Sequence, residues 1–455
     1  MLKRFPKVLT GRHRLNFAIS VTLIPLQQNV LIVVKKMVHN IYIKCNTCGT
    51  PIRLRIQLDG SIYKYDLPIH VCCPNPNCGD EFDCHFNHKQ GVLPRWFVAS
   101  EEDMPNYSIS YSPQLPIFSD IKYGVGQAFM LTPFMALGTF YTLPKISHFG
   151  AYMQTILEEV YPYRTLLKEL IPILKKGNVM AFQKKMMKIM ELENNKRDLS
   201  SVKECHDVYT DFVASLRRSF SSPEYESNVS GVVLEKCIHS IRSHSKEETQ
   251  ALMDVVKRTT NIQKWKEDAM RYLGSFLEHS EKYYPVMFFI QVGDITIPHT
   301  IDFMIDTIDV DSVHADFSKS FNLLNDMLLL PVGLCNMDLT EDFNIFPNAT
   351  TGMKGINGLS EFAKLPDGLK IEKLRDYGVI EKYLANYFNS HVRNGIAHEN
   401  TIFYTDTQMV EYYYKMNDDE THEDYRLIDV AIMTFVNTLH VMELFVLLNT
   451  LSNKL

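Results

Sequence analysis

Near the C-terminus, Arg393-Asn394-Gly395-Ile396-Ala397-His398 places a permanent cation, an amide and a titratable imidazole within six residues. A guanidinium holds phosphate through paired hydrogen bonds and stays charged at any working pH. Imidazole is the side chain best placed to move a proton near neutrality. Facing a phosphodiester, these groups are the parts needed to cleave RNA without a metal. On a helix advancing about 100° per residue, Asn394 and His398 share a face, whereas Arg393 and His398 point about 140° apart. One helix therefore builds half a site, and two copies across a two-fold axis would bring two Arg and two His around one cleft. The same string also fits a plain structural role. Asn-Gly is a turn signal, Arg393 suits the last turn of a helix, and His398 suits a C-terminal cap.

The string R-N-x-x-x-H, followed by Glu399 and an aromatic-rich stretch, resembles the R-x4-6-H motif of HEPN domains. These are four-helix units found in many bacterial toxin and phage-defence ribonucleases. The resemblance covers at most the last third of the chain. It implies a dimer with the motif at the interface, His398 as general base on the ribose 2′-OH and Arg393 stabilising the charged phosphorane. Asn394 would orient these groups or the phosphate. It also implies a bacterial, cytoplasmic setting in antiviral defence or stress, with RNA as substrate and a regulatory protein or phage component as trigger. The alternative is a non-catalytic zinc-ribbon and HEPN-like regulator that binds nucleic acid or protein.

The second chemical cluster is cysteine. Six of the nine cysteines lie between Cys45 and Cys84. Such clustering, without a convincing secretion signal, points to metal rather than disulfides. Cys45-Asn-Thr-Cys48-Gly49 is one knuckle, and Cys73-Pro-Asn-Pro-Asn-Cys78-Gly79 is the other. The segment between them, Pro51 to Tyr65, alternates and turns at Asp59-Gly60, which predicts a β-hairpin. Two cysteine turns joined by β-structure form a zinc ribbon, with Cys45, Cys48, Cys73 and Cys78 as the expected ligands of a structural Zn2+. A glycine after each knuckle lets backbone amides approach the sulfurs. Cys72 competes with Cys73, and Cys84, His85 and His88 follow closely. Arg53, Arg55 and Lys64 beside Tyr63 and Tyr65 suit either single-stranded nucleic acid or a solvated face. Cys205, Cys237 and Cys335 are scattered and fit buried apolar positions.

The whole chain sets the frame for these motifs. It has 455 residues, 45% hydrophobic and 22% charged, an ordinary globular balance. Its net charge of −6 excludes a general nucleic-acid binder, so any RNA contact needs a local patch. The expected fold is mainly α, with a HEPN-like C-terminal helical bundle and a small N-terminal β zinc ribbon. The expected units are an N-terminal extension at 1–36, the ribbon at 37–100, a linker and apolar connector at 101–150, a helical middle at 151–246 and the HEPN-like domain at 247–455. In the extension, basic residues precede an apolar run broken by Pro25, with no small-residue cleavage site. The uncharged stretch Val125 to Leu143 is diluted by Gly, Pro and Thr, which disfavours a membrane span.

Within the helical regions, periodicity predicts helices at Arg164–Lys176, Val179–Glu193, Ser201–Phe220, Val232–Ser243 and Glu247–Tyr284, the last interrupted near Gly274. Pro285 to Val310 has a β-like composition. Asp309–Leu329 is a helix with Asp311 as N-cap, and Ile371–His398 is a long helix ending in the motif. Thr401–Tyr414 is a hairpin, and Tyr425–Leu451 is a final amphipathic helix.

Overall fold

The computed structural model describes residues 37–455 apart from 59–64, 66, 88–90, 93–96, 99–104, 127–129, 193–198, 223–224, 226–230, 300, 347–354, 375–386 and 416–420. The 1–36 extension and the Asp59-Gly60 turn therefore lie outside the described residues.

The first strands are β1 (Met37–Lys44) and β2 (Pro51–Leu58), an antiparallel pair closed by the first cysteine knuckle. The strands β3 (Leu67–Cys72) and β4 (Glu81–Asn87) form a second antiparallel pair, closed by the second knuckle. Each knuckle is thus the tip of its own hairpin. β2 and β3 belong to different sheets, which replaces the single hairpin expected between the knuckles. A further strand, β5 (Tyr107–Tyr111), runs parallel to β2, with Ile52 opposite Tyr107 and Ile56 opposite Tyr111. This segment was expected to be linker. Its alternation is hidden because Ser108 and Ser110 take ladder-adjacent positions and bind Arg53 and Arg55 side chains. Ile43, Ile52, Leu54, Ile69, Val71 and Ile109 close the core between the two sheets.

From residue 133 the chain is mainly helical. Among the described residues, the α-helices of eight residues or more are α1 (Pro133–Phe140), α2 (Leu143–Thr155), α3 (Leu166–Lys175), α4 (Val179–Leu192), α5 (Val202–Phe220) and α6 (Gly231–Ser243). Then follow α7 (Lys246–Thr259), α8 (Ile262–Glu278), α9 (Tyr284–Val292), α10 (Val310–Met327) and α11 (Leu329–Thr340). The last are α12 (Asp367–Leu374), α13 (Ser390–Ala397) and α14 (Leu427–Lys454). Before α14 comes a three-stranded antiparallel sheet of β6 (Thr401–Tyr404), β7 (Met409–Tyr413) and β8 (His422–Arg426).

Several expectations are corrected here. The interruption near Gly274 is instead at Thr260-Asn261, where the Asn261 side chain accepts from the Lys264 amide and caps α8. Gly274 sits inside α8 because the backbone of Lys168 comes within 3.1 Å of where a Cβ would stand. The apolar run after Pro285 is the helix α9, buried at every position, so neither period could show in its sequence. The N-cap of α10 is Asp309, not Asp311. The hairpin at 401–414 forms as expected but gains β8 as a third strand.

The final helix is not amphipathic. From Leu427 to Phe445 every residue of α14 is buried, because α5, α8 and α10 pack around it. Among the described residues α14 is the one helix long and apolar enough to cross a membrane, and 94% of its most apolar window is buried inside the protein. Polar side chains along it must therefore find partners. Asp429 accepts from the ring of His299 at 2.9 Å, Thr438 pairs with the Tyr272 hydroxyl at 2.6 Å, and Asn437 donates to the Tyr387 carbonyl at 3.0 Å. Glu443 accepts from Arg217 of α5 at 2.7 Å, with both side chains buried. The middle and C-terminal regions consequently share one core rather than forming separate units.

Removing one member of a buried ion pair leaves an uncompensated charge, at a cost of about 3–5 kcal/mol. Glu443→Ala should therefore lower the free energy of unfolding by about that much in urea titration. The double variant Arg217→Met, Glu443→Leu should recover most of the loss. Equal stability of wild type and Glu443→Ala would show that the pair does not join α5 to α14.

Candidate functional site

The two hairpin tips bring the expected cysteines together. Cys45 and Cys78 sulfurs are 3.6 Å apart, and Cys48 and Cys73 sulfurs are 3.7 Å apart. All four sulfurs lie within 4.8 Å of one another. Four thiolates at about 2.3 Å from a tetrahedral Zn2+ stand about 3.8 Å apart, close to the two shortest separations, so the four cysteines could hold a metal ion. Gly49 and Gly79 both have positive φ, at 72° and 65°, and turn the chain after each knuckle. The Gly49 amide donates to the Cys45 carbonyl, and the Cys78 amide donates to the Asn75 carbonyl, which closes the longer C-x4-C loop.

Local hydrogen bonds tune the thiols differently. Burial pushes Cys48 up, but the Thr50 hydroxyl and amide and the neighbouring sulfurs outweigh it, bringing the thiol down to about 6. Burial pushes Cys45 and Cys73 up. A divalent cation would compensate thiolates held this close together. Cys72 points away from the cluster, so of the pair it is Cys73 that belongs to the four-cysteine group. His85 is exposed on β4, while the Cys84 side chain and His88 lie outside the described residues.

The described members of the basic-aromatic stripe are engaged within the protein. Arg53 donates to the Ser108 hydroxyl at 2.9 Å, and Arg55 donates to the Met130 carbonyl at 3.1 Å. Tyr65 packs edge-on against Tyr161 with ring centres 5.2 Å apart. Tyr63 and Lys64 lie outside the described residues.

The Arg393–His398 string occupies the short helix α13, not the end of a long one. Asn389 starts α13 by accepting from the amides of His391 and Val392. Asn394-Gly395 is helical rather than a turn. Gly395 is needed for close approach, since a Cβ there would stand 3.1 Å from Tyr412 Cβ and 3.2 Å from its Cα. Tyr412 in turn bonds His314 Nε2 at 2.9 Å, and burial holds His314 down at about 4. A neutral imidazole therefore supports the strand beneath the helix.

Arg393 is half-buried and donates to Asn394 Oδ1 at 3.3 Å. It lies mid-helix rather than in the last turn. His398 is exposed and forms the C-cap, its amide donating to the Asn394 carbonyl at 3.0 Å. Glu399 then takes the left-handed conformation, φ 53°, which ends the helix. Asn394 is thus joined to Arg393 through its side chain and to His398 through its backbone.

The sequence leaves open whether His391 or Glu399 joins the site. His391 lies seven positions before His398, so the two fall on nearly the same stripe of the helix, with Asn394 between them. His391 stacks flat on Tyr414 at 3.8 Å and bonds Glu423 at 2.7 Å. Asn389 donates to the other oxygen of Glu423 at 3.0 Å. Burial pushes the Glu423 carboxyl up, but His391 and Asn389 outweigh it and hold it below the ordinary range. The aromatic-rich segment after the motif was the only sequence signal for this network.

No protein-family model matches the chain, and neither a curated protein nor a solved structure does.

Cys45→Ser should remove one zinc ion per chain relative to wild type and lower the thermal midpoint, because bound metal contributes folding free energy directly. Acidification should release that ion, since protons compete for the thiolates. Metal analysis across a pH series tests both, and unchanged zinc content in Cys45→Ser would reject the cluster as a metal centre.

Proposed function

We propose that this chain is a metal-independent endoribonuclease of the HEPN type, with the four-cysteine cluster as a structural zinc module. The observation that carries the proposal is the arrangement on α13: Arg393 joined to Asn394, one turn from an exposed imidazole on His398. In this reading His398 takes the proton from a ribose 2′-OH as that oxygen attacks the adjacent phosphorus. Arg393 stabilises the charge on the phosphorane, and Asn394 holds the guanidinium in place. The 5′-oxygen leaves and needs a proton. A second copy of α13 across a two-fold axis supplies the imidazole that gives it. The products are a 2′,3′-cyclic phosphate and a 5′-hydroxyl.

Among the described residues no hydrogen-bond partner orients the His398 ring, whereas a catalytic base is usually held by a third group. This favours a site completed by a second copy or by bound RNA. It also favours the second reading, in which α13 and the zinc module bind nucleic acid or protein without chemistry. The setting proposed with the ribonuclease is bacterial antiviral defence or stress, in the cytoplasm, with a regulatory protein or phage component as trigger.

Inducible expression of wild type, Arg393→Ala and His398→Ala in bacteria tests the ribonuclease. Wild type should arrest growth and fragment RNA, and each variant should lose at least about 100-fold of the cleavage rate, the usual worth of general acid–base catalysis. His398→Ala should keep the wild-type thermal midpoint within about 2 °C, because substituting an exposed side chain changes stability little. RNA cleavage retained in His398→Ala would reject the assignment of the base.

A further inference from the structure

The hairpin of β3 and β4 carries a second set of ligand-type side chains, on the face turned away from the cysteine cluster. Along β3, Ile69, Val71 and Cys73 point into the small core between the sheets. Side chains alternate along a strand, so His70 and Cys72 point the other way. Their cross-strand partners are Asp83 and Glu81 respectively. All four residues therefore share one face, while the His70 amide donates to the Asp306 carbonyl at the edge of the helical body.

The distances on this face follow metal geometry. His70 Nε2 is 3.3 Å from Glu81 Oε2, and Cys72 Sγ is 3.8 Å from the same oxygen. The ligand atoms of His70, Cys72 and Glu81 all lie within 4.8 Å of one another. Around a tetrahedral zinc, with bonds of about 2.1 Å to nitrogen or oxygen and about 2.3 Å to sulfur, the expected separations are about 3.4 Å and about 3.6 Å. The opposite nitrogen, His70 Nδ1, is 2.8 Å from Asp83 Oδ1. A carboxylate on the far nitrogen is how metal-binding histidines are usually fixed in orientation and tautomer. His70 and Cys72 are each 6% exposed, while the Glu81 side chain is 41% exposed. The site thus joins two buried ligands to one exposed carboxylate and opens to solvent on that side.

With a metal bound, a neutral imidazole, a thiolate and a carboxylate would together carry two negative charges, which a divalent cation cancels. The mixed nitrogen, sulfur and oxygen donors suit zinc or cobalt rather than magnesium or calcium.

We propose that His70, Cys72 and Glu81 form a second metal site for a zinc-class divalent cation, with Asp83 as the positioning residue for His70 and a fourth coordination position left for water. Three protein ligands and an open position distinguish it from the closed four-cysteine centre.

The test uses the purified full chain. Zinc content is measured, and the protein is then titrated with Co2+. Wild type should hold one divalent ion per chain more than Cys72→Ala, and its thiolate-to-Co2+ charge-transfer absorbance should keep rising with a second equivalent of Co2+, an increment that Cys72→Ala lacks while keeping the band of the four-cysteine centre. Glu81→Gln alters an exposed side chain and serves as the second variant should Cys72→Ala fail to fold; it should also lose the extra ion. Asp83→Asn should retain the site but weaken Co2+ binding by about 10–100-fold. Loss of the extra ion in Cys72→Ala or Glu81→Gln, with the ion removed by Cys45→Ser still bound, distinguishes this site from the four-cysteine one. Equal metal content and equal Co2+ spectra in wild type, Cys72→Ala and Glu81→Gln would overturn the proposal and leave the cluster as a histidine paired with two carboxylates.

Discussion

The burial of α14 is the constraint on which the rest of the molecule depends. A helix buried all round cannot leave a polar side chain to water, so each surrounding segment must bring a partner to a fixed height along it. His299 meets Asp429, Tyr387 meets Asn437, Tyr272 meets Thr438 and Arg217 meets Glu443. Between them, aromatic rings fill the gaps, as where Phe435 lies against both Phe220 and Phe276. Apolar burial provides the driving force, and the polar pairs select one register of helices over others.

That scaffold also places the two candidate sites. The sheet β6–β7–β8 leads directly into α14, and Tyr412 of β7 presses against Gly395 to seat α13. The cysteine module is tied to the same region through a buried polar contact. Lys122 donates to Asp306 at 2.6 Å, and Gln408, at the turn between β6 and β7, exchanges two hydrogen bonds of 2.9 Å with the backbone of Ile305. Burial alone would push Lys122 down, but Asp306 more than offsets it and keeps the ammonium charged. The metal-type ligands and the Arg–His helix are therefore parts of one packed body, although they sit in opposite halves of the sequence.

Much of this was legible because local chemistry announces itself. Four cysteines with glycines behind them specified their own cluster, and C-x4-C in place of C-x2-C changed only the loop. Helices with one apolar face, such as α3 and α5, showed their period. The misses share a physical cause. Where both faces are buried, as in α9 and α14, periodicity vanishes and composition misleads. Where a strand is held by side chains from its neighbour, as Ser108 and Ser110 are by Arg53 and Arg55, it resembles a linker. The length of α13 was misjudged because Asn389, an N-cap at the middle of an apparently continuous pattern, was not recognised as a start signal. The cluster at His70, Cys72 and Glu81 was invisible because cross-strand register, not sequence spacing, brings it together.

The proposed chemistry has a direct chemical signature that growth assays lack. Attack by a ribose 2′-oxygen leaves a 2′,3′-cyclic phosphate on one fragment and a 5′-hydroxyl on the other, and it requires no free divalent ion. The decisive measurement is mass analysis of the ends of a short RNA after incubation with the purified protein in excess chelator. Cyclic-phosphate and 5′-hydroxyl ends should form, undiminished by chelator over the time in which the four-cysteine module stays folded. Fragments ending in a 3′-hydroxyl and a 5′-phosphate, or cleavage that returns only with added Mg2+, would contradict the proposed chemistry.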